Sequence, residues 1–134
     1  MTLERQARLL CRINAVINWT LSPRGVVDPV GMATAFGGVP PNYPFVIRLW
    51  SAFVFMFGCM FWEISRDMQR KRALIKYSWI EKSVTAISVT LGFFGGSAPA
   101  AVFVLVIFTD WLWIPIFAYY DVQVRRRTAS AARA

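Results

Sequence analysis

The sequence predicts an all-α fold: an integral membrane four-helix transmembrane bundle, both termini cytoplasmic, with a short interfacial helix in the first periplasmic loop. Three observations predict it. Hydrophobic residues make up 57% of the 134 and mean hydropathy is +0.47, whereas a soluble domain is usually ~45–50% apolar. The apolar residues fall into separate runs divided by glycine, proline and charge. The basic residues of a chain with net charge +8 gather at the ends of those runs. The expected organisation is one transmembrane domain over 1–134, with spans at about 9–21, 45–65, 77–94 and 100–120. Loop 22–44 is then periplasmic, and hinge 66–76 and tail 121–134 are cytoplasmic.

Residues 1–8 are polar and basic, and apolar character runs from Leu9 to Leu21. That is short for a span, which takes ~20 residues. Snorkelling of Arg12 would let the helix start near Leu3. Asn14 and Asn18 lie one turn apart with Cys11 on the same side, a polar stripe expected to face other helices because lipid offers amides no partner. A flat amphipathic surface helix is the alternative. The run has no small-residue cleavage site after it, so no signal peptide is expected. Between Ser22 and Pro44, Asp28-Pro29 reads as an N-cap followed by proline in the first turn, and Gly37 as a stop. A surface helix over Pro29–Phe36, with Met32 and Phe36 turned inward, fits that punctuation.

Phe45–Ser65 has the length of a span and is rich in aromatics. The basic hinge follows, and the third span begins near Tyr77. Gly95-Gly96-Ser97-Ala98-Pro99 reads as a tight turn. In the fourth span Pro115 removes a backbone donor and predicts a kink. Topology follows from counting. With both termini and the hinge on one side, that side holds all but Arg24 and Arg48 of the 15 Lys and Arg. The positive-inside rule makes it the cytoplasmic side, in a multi-pass protein of the bacterial inner membrane.

The charge pattern suits anionic lipid headgroups and not a nucleic-acid groove, so membrane lipids are expected partners and nucleic acid is not. The chain has no histidine, which removes the commonest general base and a common metal ligand. No metal site is expected. Cys11 and Cys59 lack redox spacing and read as small apolar side chains.

Ionisable side chains at membrane depth are candidate sites because they are costly there. Asp110 precedes Asp121 by about eleven residues, so it lies ~16 Å from the inner end. Lys82 lies about six residues past Lys76, roughly 9 Å inside. Two readings follow. Lys82 pairs with Asp110 between adjacent antiparallel helices, or it snorkels to the headgroups and meets Glu81 or Glu63, a slightly preferred reading. If the pair forms, a structural clasp is preferred over a proton relay. Arg48, Asn14 and Asn18 complete the polar candidates. Gly92 and Gly96 form a small-xxx-small step suited to helix packing. Trp111, Trp113 and Phe117 are candidates for facing lipid or a bound lipid, quinone or pigment, with ordinary packing the preferred alternative.

Arg48-Leu49-Trp50, Gly58, Arg66-Asp67, Glu81-Lys82, Thr109-Asp110-Trp111 and Phe117-Ala118-Tyr119-Tyr120 carry a further observation. Over about residues 9–121 this pattern resembles the DoxX-like group of small four-helix bacterial membrane proteins. The resemblance implies a four-helix bundle, and links of some members to quinone or thiol redox partners. The absence of paired redox cysteines separates this chain from the thiol link.

The functional expectation is a non-catalytic integral membrane accessory or stabilising subunit of a larger membrane complex, for example respiratory or photosynthetic. Other integral membrane subunits are its expected partners, no enzyme activity is expected, and no cofactor is implied. The alternative is a small carrier or quinone-linked redox component using Asp110 and Lys82.

Overall fold

A computed structural model describes residues 3–131, and every regular element among them is helical. The helices are α1 (Leu3–Val27), α2 (Pro29–Ala35), α3 (Pro44–Arg66), α4 (Ile75–Phe94), α5 (Ala100–Val106) and α6 (Trp113–Ala131). A 3₁₀ turn, Arg72–Leu74, leads into α4, and a π-helical segment, Ile107–Trp111, joins α5 to α6. Two rods are long and apolar enough to cross a membrane, Pro44–Arg66 and Ala100–Arg126, holding 18-residue stretches of mean hydropathy 1.7 and 2.1.

Helix α1 is longer than the run 9–21, because it starts at Leu3 and passes through Pro23 to Val27. Proline costs a helix one backbone hydrogen bond, but tertiary packing holds the last turn. A Cβ on Gly25 would stand 2.0 Å from Ser51 Oγ and 2.5 Å from Met32 Sδ. One end of the expected loop 22–44 is therefore helix. Asp28 then caps α2 as the sequence predicts, its Oδ1 accepting from Gly31 N–H at 2.9 Å. Met32 is buried and Phe36 half-buried. Gly37 takes φ 77°, which suits glycine at a helix stop.

α1 and α3 run antiparallel on a seam of small residues. Ala7, Cys11, Ala15, Ser22 and Gly25 are buried on α1, and Ser51, Gly58 and Ser65 on α3. A Cβ on Gly58 would meet Trp19 Cδ1 and Nε1 at 2.7 Å. Small side chains of this kind let backbones approach where dispersion must drive association.

That role was expected of Gly92 and Gly96, which the structure uses differently. Gly96 holds φ 73° in the turn between α4 and α5. A Cβ on Gly92 would meet Ala98 Cβ and Ser97 Oγ of the same turn. The turn folds back through Ser97 and Ala98 N–H donating to Gly92 O, so both glycines serve chain reversal. Phe93 and Phe103 stack across it, 4.4 Å apart at 4°.

The hinge begins with the turn after Arg66, and α4 starts at Ile75, inside the expected hinge range. The expected tail is helical as far as Ala131, because α6 continues past Asp121. Its last three residues, Arg133 among them, lie outside the described residues.

An apolar core sits at the hinge end. It includes Cys11, Ala15, Phe61, Ile64, Ile75 and Phe117. Phe61 and Phe117 stack at 5.4 Å. Elsewhere polarity is reversed from what water favours. Asn14, Asn18, Ser22, Ser51, Ser78, Lys82 and Asp110 are buried, while Phe45, Leu49, Phe53 and Met56 on α3 are exposed. On α4 the exposed set Ile80, Val84, Ile87, Leu91 and Phe94 recurs at 4-3-4-3 spacing, one continuous stripe on a helix.

Candidate functional site

The buried face of α4 repeats every fourth residue through Ser78, Lys82 and Ala86, so Lys82 points into the bundle. The π-helical segment supplies its partner. Leu112 N–H donates to Ile107 O at 3.2 Å, one residue further back than an α-helix allows. Phe108 O accepts instead from the Trp113 indole at 2.9 Å. This wider turn buries Asp110 and leaves Trp111 exposed. Pro115 lacks the N–H that would bond Trp111 O in a regular helix, and the distortion takes the form of this π turn.

Lys82 Nζ lies 3.1 Å from Asp110 Oδ1 and 3.7 Å from Glu81 Oε2. The whole residues are 2% and 4% exposed at Lys82 and Asp110. Snorkelling, the slightly preferred reading, therefore gives way to the buried pair. With a counter-charge within reach inside the bundle, the ammonium needs no partner outside it. The Thr109 hydroxyl lies 2.7 Å from Asp110 Oδ2 and 3.0 Å from Leu105 O, one proton between two acceptors. Below the ammonium, the Phe61 ring centroid is 5.6 Å away, within cation–π range.

Above the cluster is a cavity of about 50 Å³. Asn18 and Ser22 of α1, Trp50 of α3, and Glu81, Lys82 and Asp110 line it. Asn18 Nδ2, Ser22 Oγ and Glu81 Oε2 are buried without a hydrogen-bond partner in the protein. Buried polar atoms are rarely left so. An open pocket of about 460 Å³, between α2 and the α4–α5 turn, shares Met32, Trp50 and Val102 with the cavity. A groove of about 470 Å³ between α3 and α4 shares Trp50, Val54, Glu81 and Thr85 with it.

The other candidates divide. Asn14 is buried and donates to Leu10 O at 3.2 Å, outside the lining of the cavity. Glu63 stands apart, at the end of α3, where it pairs with Lys71 and Arg66. Arg48 is exposed and joins no ion pair among the described residues. Phe117, a candidate for facing lipid or ligand, is core, held between Phe61 and Trp113. Trp113 is half-buried against the same core. Trp111 faces outward, its indole donating to Thr90 Oγ1 at 3.1 Å. Sequence reasoning named Thr109 only within the resemblance pattern and not as a site residue, and it missed Ser22. Thr109's position next to Asp110 was the one signal for it, and Ser22 lies one turn beyond Asn18 on the stripe already noted.

No group of three or more His, Cys, Asp or Glu among the described residues is placed to hold a metal ion. No family model, curated protein or solved structure matches the chain.

Proposed function

We propose that the chain is a four-span protein of the bacterial inner membrane, with both termini and the hinge cytoplasmic. In this reading it is a non-catalytic accessory or stabilising subunit of a larger membrane assembly. The observation that carries the proposal is the outer stripe of α4, Ile80, Val84, Ile87, Leu91 and Phe94, which remains exposed. Its spacing is that of a seam for another helix. The buried polar and charged side chains support the membrane setting, since lipid is the solvent in which such groups turn inward. Kinship with the DoxX-like group belongs to the same proposal. Glu81-Lys82 and Thr109-Asp110, two of the segments that carry it, meet at 3.1 Å.

Purification in mild detergent or native lipid discs tests the subunit role. Fixed stoichiometric membrane partners are expected, lost when Val84 and Leu91 are both changed to Ala. A clean monomer or homodimer contradicts it. A second reading, a small carrier or quinone-linked redox component, draws on the α3–α4 groove reaching Glu81. It predicts transport or redox activity from the purified chain alone, and loss of that activity in Asp110→Asn.

A further inference from the structure

We infer that the Glu81–Lys82–Asp110 cluster is a proton-binding site, holding one exchangeable proton on Glu81 and exchanging it with water in the adjoining cavity. The inference concerns the interior of the bundle and stands with or without a partner subunit.

Charge counting comes first. Two carboxyls and one ammonium are the ionisable groups lining the cavity. The facing groups from the other elements are neutral: Asn18 and Ser22 from α1, Met32 from α2, Trp50 and Val54 from α3, and Thr109 beside Asp110. With every group ionised the cluster would carry a net negative charge in a site of low polarity. One proton makes it neutral, and like charges sharing a site favour such uptake.

Geometry then assigns the proton. Asp110 has the ammonium 3.1 Å from Oδ1 and the Thr109 hydroxyl 2.7 Å from Oδ2, so both of its oxygens already have a polar neighbour. Glu81 is farther from the ammonium, at 3.7 Å, and its Oε2 has no hydrogen-bond partner. A proton on that oxygen gives it a donor to aim at the cavity.

The cavity supplies the exchange partner. Water needs roughly 10–15 Å³ of such volume and two to four polar partners, and here about 50 Å³ is lined by Asn18, Ser22 and Glu81, residues whose Nδ2, Oγ and Oε2 atoms have no partner in the protein. Toward α2, Met32 and Val102 line both the cavity and the open pocket, and this shared boundary is the inferred access route. The step is a bare proton transfer: a hydronium in the cavity protonates the Glu81 carboxylate and leaves water, and the reverse returns it.

Infrared spectroscopy of the full chain in lipid nanodiscs at neutral pH tests the site, because a protonated carboxyl has its own C=O band. Wild type should show one such band, shifted by ¹³C-glutamate labelling and by D₂O. Glu81→Gln should abolish it, and Lys82→Met should double its area. Lys82→Met/Asp110→Asn, with one acid and no base, should keep the single band, and serves if a single variant fails to fold. Val102→Phe, at the boundary the cavity shares with the open pocket, should slow the D₂O shift. A wild-type protein without the band, or a band that survives Glu81→Gln, overturns the proton site. A band indifferent to D₂O, or an exchange rate unchanged by Val102→Phe, overturns the access route.

Discussion

Removing both carboxyls that face Lys82 leaves a buried ammonium with no counter-charge, and the structure sets the size of the effect. At 3.1 Å and an effective dielectric constant of ~20, the Lys82–Asp110 attraction is about 5 kcal/mol before desolvation is counted. At 3.7 Å an ionised Glu81 would supply about 4 kcal/mol on the same scale. Asp110→Asn alone therefore lets Glu81 lose its proton and take over the ammonium, at an expected net cost of about 1–2 kcal/mol, near that of one charge-assisted hydrogen bond. Glu81→Gln alone leaves the shorter pair intact and costs less. The double variant has no such fallback and should lose about 3–5 kcal/mol, the cost of an uncompensated buried charge. Adding Lys82→Met should recover most of that loss. The assay is reversible unfolding in mixed micelles, followed by helical circular dichroism. A double variant as stable as wild type, or a triple variant no better than the double, would refute the reasoning.

Two other perturbations follow from the packing. Gly58→Leu should destabilise the fold by roughly 1–3 kcal/mol through overpacking, since even a Cβ would stand 2.7 Å from the Trp19 indole; a thermal midpoint equal to wild type would contradict the α1–α3 seam. Trp113→Phe removes the indole donor from Phe108 O and should cost about 1 kcal/mol, while Trp111→Phe, at an exposed position, should cost less in the same melting experiment.

Much of the fold is legible in the residues, for local reasons. Proline and glycine mark the helix limits, and Asp28-Pro29 states its own cap, which the structure reproduces at Gly31 N–H. What failed to show depends on neighbours. Nothing near Pro23 says that α1 survives it, because the cause is Gly25 lying against Ser51, a residue of another helix. Pro115 signals a distortion but not its form. A π turn changes which side chains face inward, so Trp111 goes out while Asp110 comes in. Gly92 and Gly96 fit a helix-packing pattern and a turn equally well, and only the path after Phe94 decides. At the candidate site, depth arithmetic leaves Lys82 several ångströms short of Asp110, a gap that an extended lysine stem can span. It does not say which way each faces, and snorkelling needs no partner. The contribution of Ser22 and Asn18 depends on α1 lining the same cavity as α4 and the π segment, a relation between distant parts of the chain.

Reporter fusions placed at Gly37, within the Asp67–Lys71 hinge and after Arg127 test the central claim most directly, because they read on which side of a bilayer each proposed loop lies. The Gly37 fusion is expected to read periplasmic, and the other two cytoplasmic. A cytoplasmic Gly37, or a periplasmic hinge or carboxyl end, would contradict the four-span arrangement.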